Sequence, residues 1–241
     1  MNSSDLLFRN PPLESLETAH AHFAMRNGLA VKFPRQVTPF AAVLENSAMA
    51  MADLRSLLEP GELVFVVSFE RLTQVDGLKI GGPFGVRQME WPAEAALPEP
   101  ATDAELKRLS GADAEEMVEL TSIAFPGFFR IRTCEMGTYY GVRDGVVNAA
   151  GERPRLMAMC GERMAIRDFK EISGLCTLPD YRGRGYAAAL ITRLLHDHRA
   201  EGARSYLHVS SDNATAIALY RRMGFRSCGE FPTYRVTRLE E

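Results

Sequence analysis

Short apolar runs of strand length alternate along the chain with longer amphipathic runs of helix length. Leu190, Ile191, Leu194 and Leu195 recur at the spacing of one helix face, and Gly202 follows that run. The pattern is clearest after residue 100. There it predicts strands at 138–143, 155–166, 171–178, 206–209, 226–230 and 234–239, and helices at 114–125, 185–200 and 213–223. Such alternation predicts a mixed sheet with helices on both faces.

The first hundred residues show a less regular α/β pattern. Its predicted elements are helices at 16–25 and 48–58 and strands at 62–69 and 86–91. Three prolines fall within residues 91–106, a composition typical of a linker or a long surface connection. We therefore place a boundary near residue 100, between an N-terminal α/β lobe (1–100) and a second domain (101–241).

Composition and charge narrow the classes of function. The 241 residues are 46% hydrophobic and 24% charged, which is ordinary for a soluble globular protein. A net charge of −3 provides no broad basic surface, so we expect no nucleic-acid partner. No apolar run is long enough to span a membrane, and the first ten residues lack a secretory signal pattern. The four cysteines form no CxxC pair. The sequence therefore predicts a cytoplasmic protein with no membrane partner and no metal.

The stretch LPDYRGRGYA, residues 178–187, places Arg182-Gly183-Arg184-Gly185 between a predicted strand and a predicted helix. The first turn of a helix has unpaired N–H groups and a partial positive charge, and glycines let the backbone approach a phosphate closely. The stretch therefore fits an anion site. A plain turn with two solvated arginines is the alternative, because a short glycine-rich turn alone is weak evidence. No Lys-Ser/Thr pair follows the last glycine, which excludes a P-loop.

Two motifs together resemble the GNAT superfamily of N-acetyltransferases. LPDYRGRGYA resembles the family's acyl-CoA-binding signature, Arg/Gln-x-x-Gly-x-Gly/Ala, and NATAIALYRRMGF, residues 213–225, is similar to its Asn-x-x-Ala-x-x-x-Tyr-x-x-x-Gly-Phe. The resemblance covers about residues 104–241. Residues 162–185 also resemble the glycine N-acyltransferase-like C-terminal domains. The resemblance implies an α/β (α+β) fold whose mixed, mostly antiparallel sheet is flanked by helices. The N-terminal lobe is then open to interpretation as a degenerate second half of the same kind.

The resemblance implies acetyl-CoA as the cosubstrate, bound where two parallel strands, 171–178 and 206–209, diverge. The pyrophosphate is expected on backbone amides of the glycine-rich stretch, and the pantetheine arm along the first strand. Gly174 in that strand indicates a bulge or a close approach, where an amide can polarise the thioester carbonyl. The cofactor-binding residues implied are Leu175, Cys176, Thr177, Arg182, Gly183, Arg184, Gly185, Tyr186, Ala187 and Asn213.

Glu171 and Tyr220 are the catalytic residues that the resemblance implies. A free alkylamine is mostly protonated at pH 7, so its attack requires a base, and Glu171 is the candidate. A surface Glu paired with Lys170 or Arg167 is the alternative. Tyr220 is either the acid that protonates the leaving thiolate or an aromatic that packs its helix onto the sheet. Asn213 either contacts the cofactor or caps that helix.

The predicted function is acetyl transfer to a primary amine of a small molecule or amino acid, by direct attack in a ternary complex. A transferase of larger acyl groups and a non-catalytic acyl-CoA sensor are the alternatives, and the presence of both Glu171 and Tyr220 favours an enzyme. Cys176 and His208 are interpreted as structural. The acceptor amine is not identified, a protein lysine is also open as the acceptor, and a homodimer is left open.

Overall fold

One continuous sheet of eleven strands organises the computed structural model, which describes residues 6–99, 102–124, 126–145 and 154–240. The strands are β1 (Met25–Asn27), β2 (Ala30–Lys32), β3 (Phe40–Val43), β4 (Leu63–Val67), β5 (Leu78–Glu90), β6 (Lys107–Leu109), β7 (Tyr139–Arg143), β8 (Leu156–Ile166), β9 (Phe169–Thr177), β10 (Arg204–Ser210) and β11 (Arg226–Arg238). The helices are α1 (Pro11–Glu17), α2 (Ala48–Leu57), α3 (Ala114–Ala124), α4 (Tyr186–Ala200) and α5 (Ala214–Met223).

The sheet is mixed and mostly antiparallel, with the order β1-β2-β3-β4-β11-β5-β10-β9-β8-β7-β6. β3 and β4 pair in parallel, with α2 as the crossover between them, and β9 and β10 do the same with α4. The remaining strand pairs of the described residues are antiparallel. This architecture confirms the predicted α/β (α+β) fold with helices flanking a mixed sheet.

The two ends of the chain exchange strands in the middle of the sheet. β5 belongs to the first hundred residues but pairs with β10, and β11, the last strand, pairs with β4. β5 and β11 also pair with each other, from Arg226↔Glu90 to Arg238↔Leu78. Each half of the chain therefore completes the sheet of the other. The predicted boundary at residue 100 lies outside the described residues, and the division into two domains stays a prediction.

Local sequence signals set the ends of the helices that the pattern predicted well. The Ser47 hydroxyl accepts a hydrogen bond from the Ala50 N–H at the start of α2. The Asn213 side chain accepts one from the Ala216 N–H at the start of α5. Gly224 ends α5 in the left-handed region, at φ +108°, where a side chain would be strained. Each cap satisfies backbone groups that have no hydrogen-bond partner within the helix.

Apolar helix faces bury against the sheet in two main clusters. Leu190 and Leu194 of α4 are fully buried in one cluster, which lies against the second half of the sheet. Met51 and Leu54 of α2 are fully buried in the other, against the first half. Burial of each such side chain stabilises the fold by roughly 1.5–3 kcal/mol. The two clusters share one sheet, because the exchanged strands β5 and β11 lie between them.

The helix predicted at 16–25 is wrong. α1 begins earlier, at Pro11, because Asn10 caps it and a proline fits the first helical turn. The chain then passes through a short 3₁₀ turn, Ala21–Phe23, into β1. The predicted helix end at Phe125 lies outside the described residues. None of the described helices is long and apolar enough to cross a membrane.

Two strand predictions also needed correction. The strand predicted at 86–91 is the end of the longer β5, whose first half contains Gly81-Gly82-Pro83, a sequence typical of a turn. The strands predicted at 226–230 and 234–239 are a single strand, β11. Its register against β5 shifts between Ser227 and Gly229 and again between Thr233 and Arg235. The pairing with β5 continues past both irregularities, so β11 is not divided in two.

Because each half completes the sheet of the other, we expect one cooperative unfolding transition. Trp91, the only tryptophan, packs edge-on against Phe225 at 5.4 Å between ring centroids, so its fluorescence reports on the C-terminal core. Far-ultraviolet circular dichroism reports on the whole chain. Urea transitions followed by the two signals should coincide, whereas two separate transitions would contradict the interdependence of the halves.

Candidate active site

The parallel strands β9 and β10 separate halfway along their length. They pair from Phe169↔Arg204 to Ile172↔Leu207, and the pairing stops there. Beyond that point β9 stays with β8 as far as Thr177, while β10 stays with β5 as far as Ser210. The two strands thus form a V that opens toward their carboxyl ends, and the backbone of each strand faces the gap.

A bulge lies in the arm of the V that β9 forms. Ser173 pairs with Gly161 and Cys176 with Met159, so two residues of β9 oppose one of β8. Gly174 is one of the two and has φ +64°, a conformation that other residues rarely adopt. The predicted bulge at Gly174 is therefore present. A bulge leaves backbone groups outside the ladder, where a ligand can use them.

The glycine-rich stretch connects this arm to α4. Gly183 and Gly185 have φ +77° and +81°, and no side chain caps the first turn of α4. Tyr186 and Ala187 begin the helix there. Its uncapped N–H groups and partial positive charge suit an anion.

Both arginines of the stretch are exposed, and each is held loosely. The Arg182 Nε donates a hydrogen bond to the Thr177 carbonyl at 3.3 Å. Arg184 donates to the Asp180 carbonyl at 3.3 Å, and its guanidinium lies 4.8 Å from the Tyr181 ring centroid. Contacts of this kind are easily exchanged, so both charges are accessible to a phosphate.

A cavity of about 260 Å³ occupies the V and continues into the first half of the chain. Ser173, Gly174 and Leu175 line it from β9, and Asn213 and Tyr220 from α5. Its far wall consists of aromatic side chains from β3, β4, β5, β11 and the loop after α3: Phe40, Phe65, Phe84, Phe231 and Phe128. The cavity thus joins the predicted cofactor strand to residues that lie far away in the sequence.

The remaining predicted residues of the cofactor strand, Cys176 and Thr177, are not among the residues that line this cavity. Cys176 is buried on the other face of β9, packed against Met159 and Leu178. Burial raises the pKa of the Cys176 thiol to about 12, so the thiol stays protonated and is a poor nucleophile. Thr177 is half-buried at the end of the strand.

Tyr220 lies on the wall of the cavity. Its side chain is buried, yet the hydroxyl has no hydrogen-bond partner within the described part of the chain. Burial raises the pKa of the Tyr220 phenol above its usual value, so the group carries its proton at neutral pH. Asn213 lines the same wall while its side-chain oxygen caps α5, which leaves the amide nitrogen for other contacts.

Glu171 is not a surface residue but the centre of a buried polar network. Arg163 donates two hydrogen bonds to its carboxylate, at 3.0 and 2.6 Å, and the Met164 N–H donates a third at 3.1 Å. The His208 Nδ1 lies 2.9 Å from the same carboxylate. Burial alone would raise the pKa of Glu171, but the charge of Arg163 and the hydrogen bonds from Arg163 and His208 outweigh it and hold this pKa well below the usual range.

His208 is fixed on both sides of its ring. The Gln88 side-chain oxygen accepts hydrogen bonds from the N–H groups of Leu7 and Phe8, at 2.6 and 3.2 Å, so its amide nitrogen faces the His208 Nε2 at 3.1 Å. Nε2 must therefore accept a hydrogen bond, and Nδ1 carries the proton that is donated to Glu171. His208 lines the cavity, but both ring nitrogens are engaged.

A second buried cluster lies apart from the residues that line the cavity. The His198 Nδ1 is 2.8 Å from the Ser205 hydroxyl, and its Nε2 is 3.1 Å from the Glu162 carboxylate. A histidine that bridges a serine and an acid resembles a nucleophilic triad. All three are buried, however, and a nucleophile must reach its substrate, so this cluster holds α4 to β8 and β10.

Sequence reasoning did not identify Arg163 or the aromatic wall. Arg163 precedes a strand turn and carries no motif, and its position opposite Glu171 depends on irregular pairing between β8 and β9. Phe40, Phe65 and Phe84 belong to the half of the chain without a recognised motif. The exchange of β5 and β11 brings the strands that carry these rings to the cavity.

Similarity to known proteins agrees with this geometry. The model of the acetyltransferase (GNAT) family matches residues 115–225. The N-alpha-acetyltransferase RimI of Mycobacterium tuberculosis is 33% identical over 141 residues, which cover 54% of this chain and 82% of RimI. Mycothiol acetyltransferase of Corynebacterium glutamicum is 48% identical over 46 residues, 19% of this chain and 16% of that protein. The chain thus spans only a short piece of the second relative.

A solved structure matches nearly the whole chain. It is a crystal structure of a GNAT-family protein from Novosphingobium aromaticivorans, with 30% sequence identity and a TM-score of 0.82. The match covers 96% of this chain and 98% of that one. The similarity therefore includes the first hundred residues, which the family match at 115–225 leaves out.

Replacing Glu171 with Gln should destabilise the fold by about 3–5 kcal/mol, because the buried Arg163 would lose its compensating charge. Urea unfolding measures the change. The matched control is Glu135→Gln. It removes the charge of an exposed carboxylate that likewise accepts two hydrogen bonds from an arginine, Arg132. The control should leave stability nearly unchanged. Equally small effects of both substitutions would contradict the structural importance of Glu171.

Proposed function

We propose that this chain, which belongs to the acetyltransferase (GNAT) family, is an N-acetyltransferase that moves the acetyl group of acetyl-CoA to a primary amine. The acceptor in this proposal is a small molecule or an amino acid. The observation that carries the proposal is the V between β9 and β10, with a bulge in one arm and an uncapped helix at its open end. The names of RimI and mycothiol acetyltransferase, both acetyltransferases, support acetyl transfer.

The residues of the V suit the parts of acetyl-CoA. Backbone N–H groups from Gly183 to Ala187 would hold the pyrophosphate, with Arg182 and Arg184 supplying charge. The backbone of Leu175 to Thr177 would pair with the amides of the pantetheine arm. The bulge at Gly174 offers an N–H to the thioester oxygen, which becomes negative during attack. Acetyl-CoA itself supplies the activated acyl group.

In the proposed reaction the amine nitrogen attacks the thioester carbonyl carbon, a C–N bond forms and the C–S bond breaks. Tyr220 donates its phenolic proton to the leaving thiolate and regains one from solvent. The position of Tyr220 on the cavity wall and its hydroxyl, unpaired within the described residues, support this role, because the phenol carries a proton that it can donate there. The nitrogen releases its surplus proton to solvent.

We assign Glu171 a positioning role rather than the base role that the family motif suggests. Its carboxylate already accepts hydrogen bonds from Arg163, Met164 and His208, and its lowered pKa makes it a weak acceptor of a further proton. The acceptor amine would therefore react as the neutral free base. Glu171 acts by holding β8, β9 and β10 together at the floor of the cavity.

A second candidate function is transfer of an acyl group larger than acetyl, as in the glycine N-acyltransferase-like subgroup. The observation in its favour is the extension of the cavity beyond the V, which offers space to a longer acyl chain. Binding of acyl-CoAs of increasing chain length separates the two candidates. The cytoplasmic location and the homodimer remain predictions from the sequence.

We also propose that residues 1–100 are a degenerate second half of the family fold. The support is topological, because a strand, a crossover helix and a parallel strand occur twice, as β3-α2-β4 and as β9-α4-β10. Each unit then pairs with a long strand from the other half.

Replacing Gly185 with Val should weaken acetyl-CoA binding by about tenfold or more, the loss of roughly one hydrogen bond to a charged group. A side chain strains the backbone at φ +81° and displaces the N–H groups of the first turn. Isothermal titration with acetyl-CoA measures the effect. The matched control is Gly202→Val, which strains φ +72° at the other end of α4. Equal affinity in the two variants would contradict the proposed pyrophosphate site.

Replacing Tyr220 with Phe should lower kcat about 10²-fold or more while the affinity for acetyl-CoA changes little, because only the proton donor is lost. The control is Tyr140→Phe. It removes a hydroxyl that donates a hydrogen bond to Asp197 at 2.6 Å, and Tyr140 does not line the cavity. Its turnover should stay near that of the unmodified protein. If Tyr220→Phe weakens turnover and affinity equally, Tyr220 only packs the helix.

A further inference from the structure

We propose that the aromatic end of the cavity is the acceptor subsite and that the acceptor is a primary amine carrying an aromatic ring. The inference rests on the proposed function, since it presumes that acetyl-CoA occupies the V. It goes further by naming the class of acceptor. The residues that define the aromatic subsite are Phe40, Phe65, Phe84, Phe128 and Phe231.

The rings of the aromatic subsite pack on one another along one side of the cavity, and two of them also carry an arginine over one face, Arg163 over Phe40 and Arg235 over Phe84. Phe65 and Phe128 stack with centroids 4.7 Å apart, and Phe84 meets Phe65 edge-on at 5.9 Å. Phe40, Phe84 and Phe128 are only half-buried, although a phenyl side chain gains most when it is covered completely. Incomplete burial of three neighbouring rings along one cavity leaves apolar surface for a ligand to cover. Another aromatic ring fits such a wall best, in stacked or edge-on contact.

The charges around the cavity exclude several other acceptors. No Asp or Glu occurs among its described lining residues, so a second ammonium group, as in a polyamine, would find no carboxylate partner there. Arg163 is the one lining residue with a permanent charge, and Glu171 already neutralises it through two hydrogen bonds. A strongly anionic acceptor would therefore gain little. An uncharged apolar group therefore has the smallest desolvation cost on entering the cavity.

The volume of the cavity limits the size of that group. An apolar cavity of about 150 Å³ is enough to hold a benzene molecule. The present cavity measures about 260 Å³ and must also take the acetyl end of the cosubstrate near Gly174 and Tyr220. One aromatic ring with a short linker to the amine fits the remainder, whereas a large acceptor would have to extend outside.

The position of the subsite matches the chemistry of attack. Tyr220 and Gly174 lie on the wall formed by the V, and the aromatic subsite lies on the opposite wall, to which the first half of the chain contributes Phe40, Phe65 and Phe84. A ring held in the subsite points its amine back toward the V. The exchanged strands thus supply the selectivity: Phe84 comes from β5 and Phe231 from β11.

The test compares acceptors that differ only in the ring. CoA release from saturating acetyl-CoA is measured with 2-phenylethylamine and with propylamine, using the full chain. We expect kcat/KM to be at least about tenfold higher for 2-phenylethylamine, the usual gain from filling an apolar pocket. Equal values, or a preference for propylamine, would overturn the inference.

Two variants test whether the preference for an aromatic acceptor arises in the aromatic subsite. Phe84→Ala should reduce kcat/KM for 2-phenylethylamine by about tenfold and leave that for propylamine nearly unchanged. The control is Phe69→Ala, which removes an exposed ring that packs under Arg9 outside the cavity lining. This control should change neither value. A preference for the ring that survives Phe84→Ala would place ring recognition elsewhere and overturn the assignment.

The reaction of phenylacetyl-CoA with propylamine tests whether the subsite takes a ring from the acyl group instead of from the acceptor. If this pair reacts faster than acetyl-CoA with 2-phenylethylamine, the subsite takes the acyl group, and the inference is wrong. Acetylation of many amines without preference for a ring would defeat the inference and leave the proposed function intact. Failure to bind acetyl-CoA in a direct titration would defeat the proposed function, and the inference with it.

Discussion

The buried carboxylate of Glu171 is the constraint on which the rest of the structure depends. Removal of a charge from water costs several kcal/mol, and the cost is offset only when every lone pair finds a good partner. Here the partners come from three adjacent strands, since Arg163 lies on β8, Glu171 on β9 and His208 on β10. Through Gln88 the network continues to β5 and to the N-terminal segment. The network holds the strands together directly before β9 and β10 separate, so the V opens at a defined point.

The exchange of β5 and β11 gives this V a second wall. A sheet built from one half of the chain would end at β10 and leave the gap open to solvent on that side. Because β5 continues the sheet and β11 and β4 follow it, phenylalanines from the first half face the cofactor strand. In the proposed function, the half without a recognised motif would enclose the reaction and offer a surface for the acceptor, while the second half would bind acetyl-CoA.

Sequence reasoning was most successful where the information is local. The glycine-rich stretch, the bulge at Gly174 and the cap at Asn213 depend on neighbouring residues, and the structure has each of them. The fold class followed from the same patterns. Arg163 and the aromatic subsite could not be predicted, because they reach the site through strand pairing between distant segments. A local pattern says that a segment is a strand, but not which strand lies beside it. The same limit applies to the partners of Glu171, since Arg163 and His208 reach its carboxylate from neighbouring strands.

The central claim is that the V, its bulge and the uncapped end of α4 form the acetyl-CoA site. Hydrogen–deuterium exchange with and without acetyl-CoA tests it most directly, because amides that bind the cosubstrate exchange more slowly. The account predicts slower exchange at 173–177 and 183–187, and no change in β3 and β4, which form the corresponding unit of the first half. Unchanged exchange at both segments under saturating acetyl-CoA, or protection confined to β3 and β4, would contradict it.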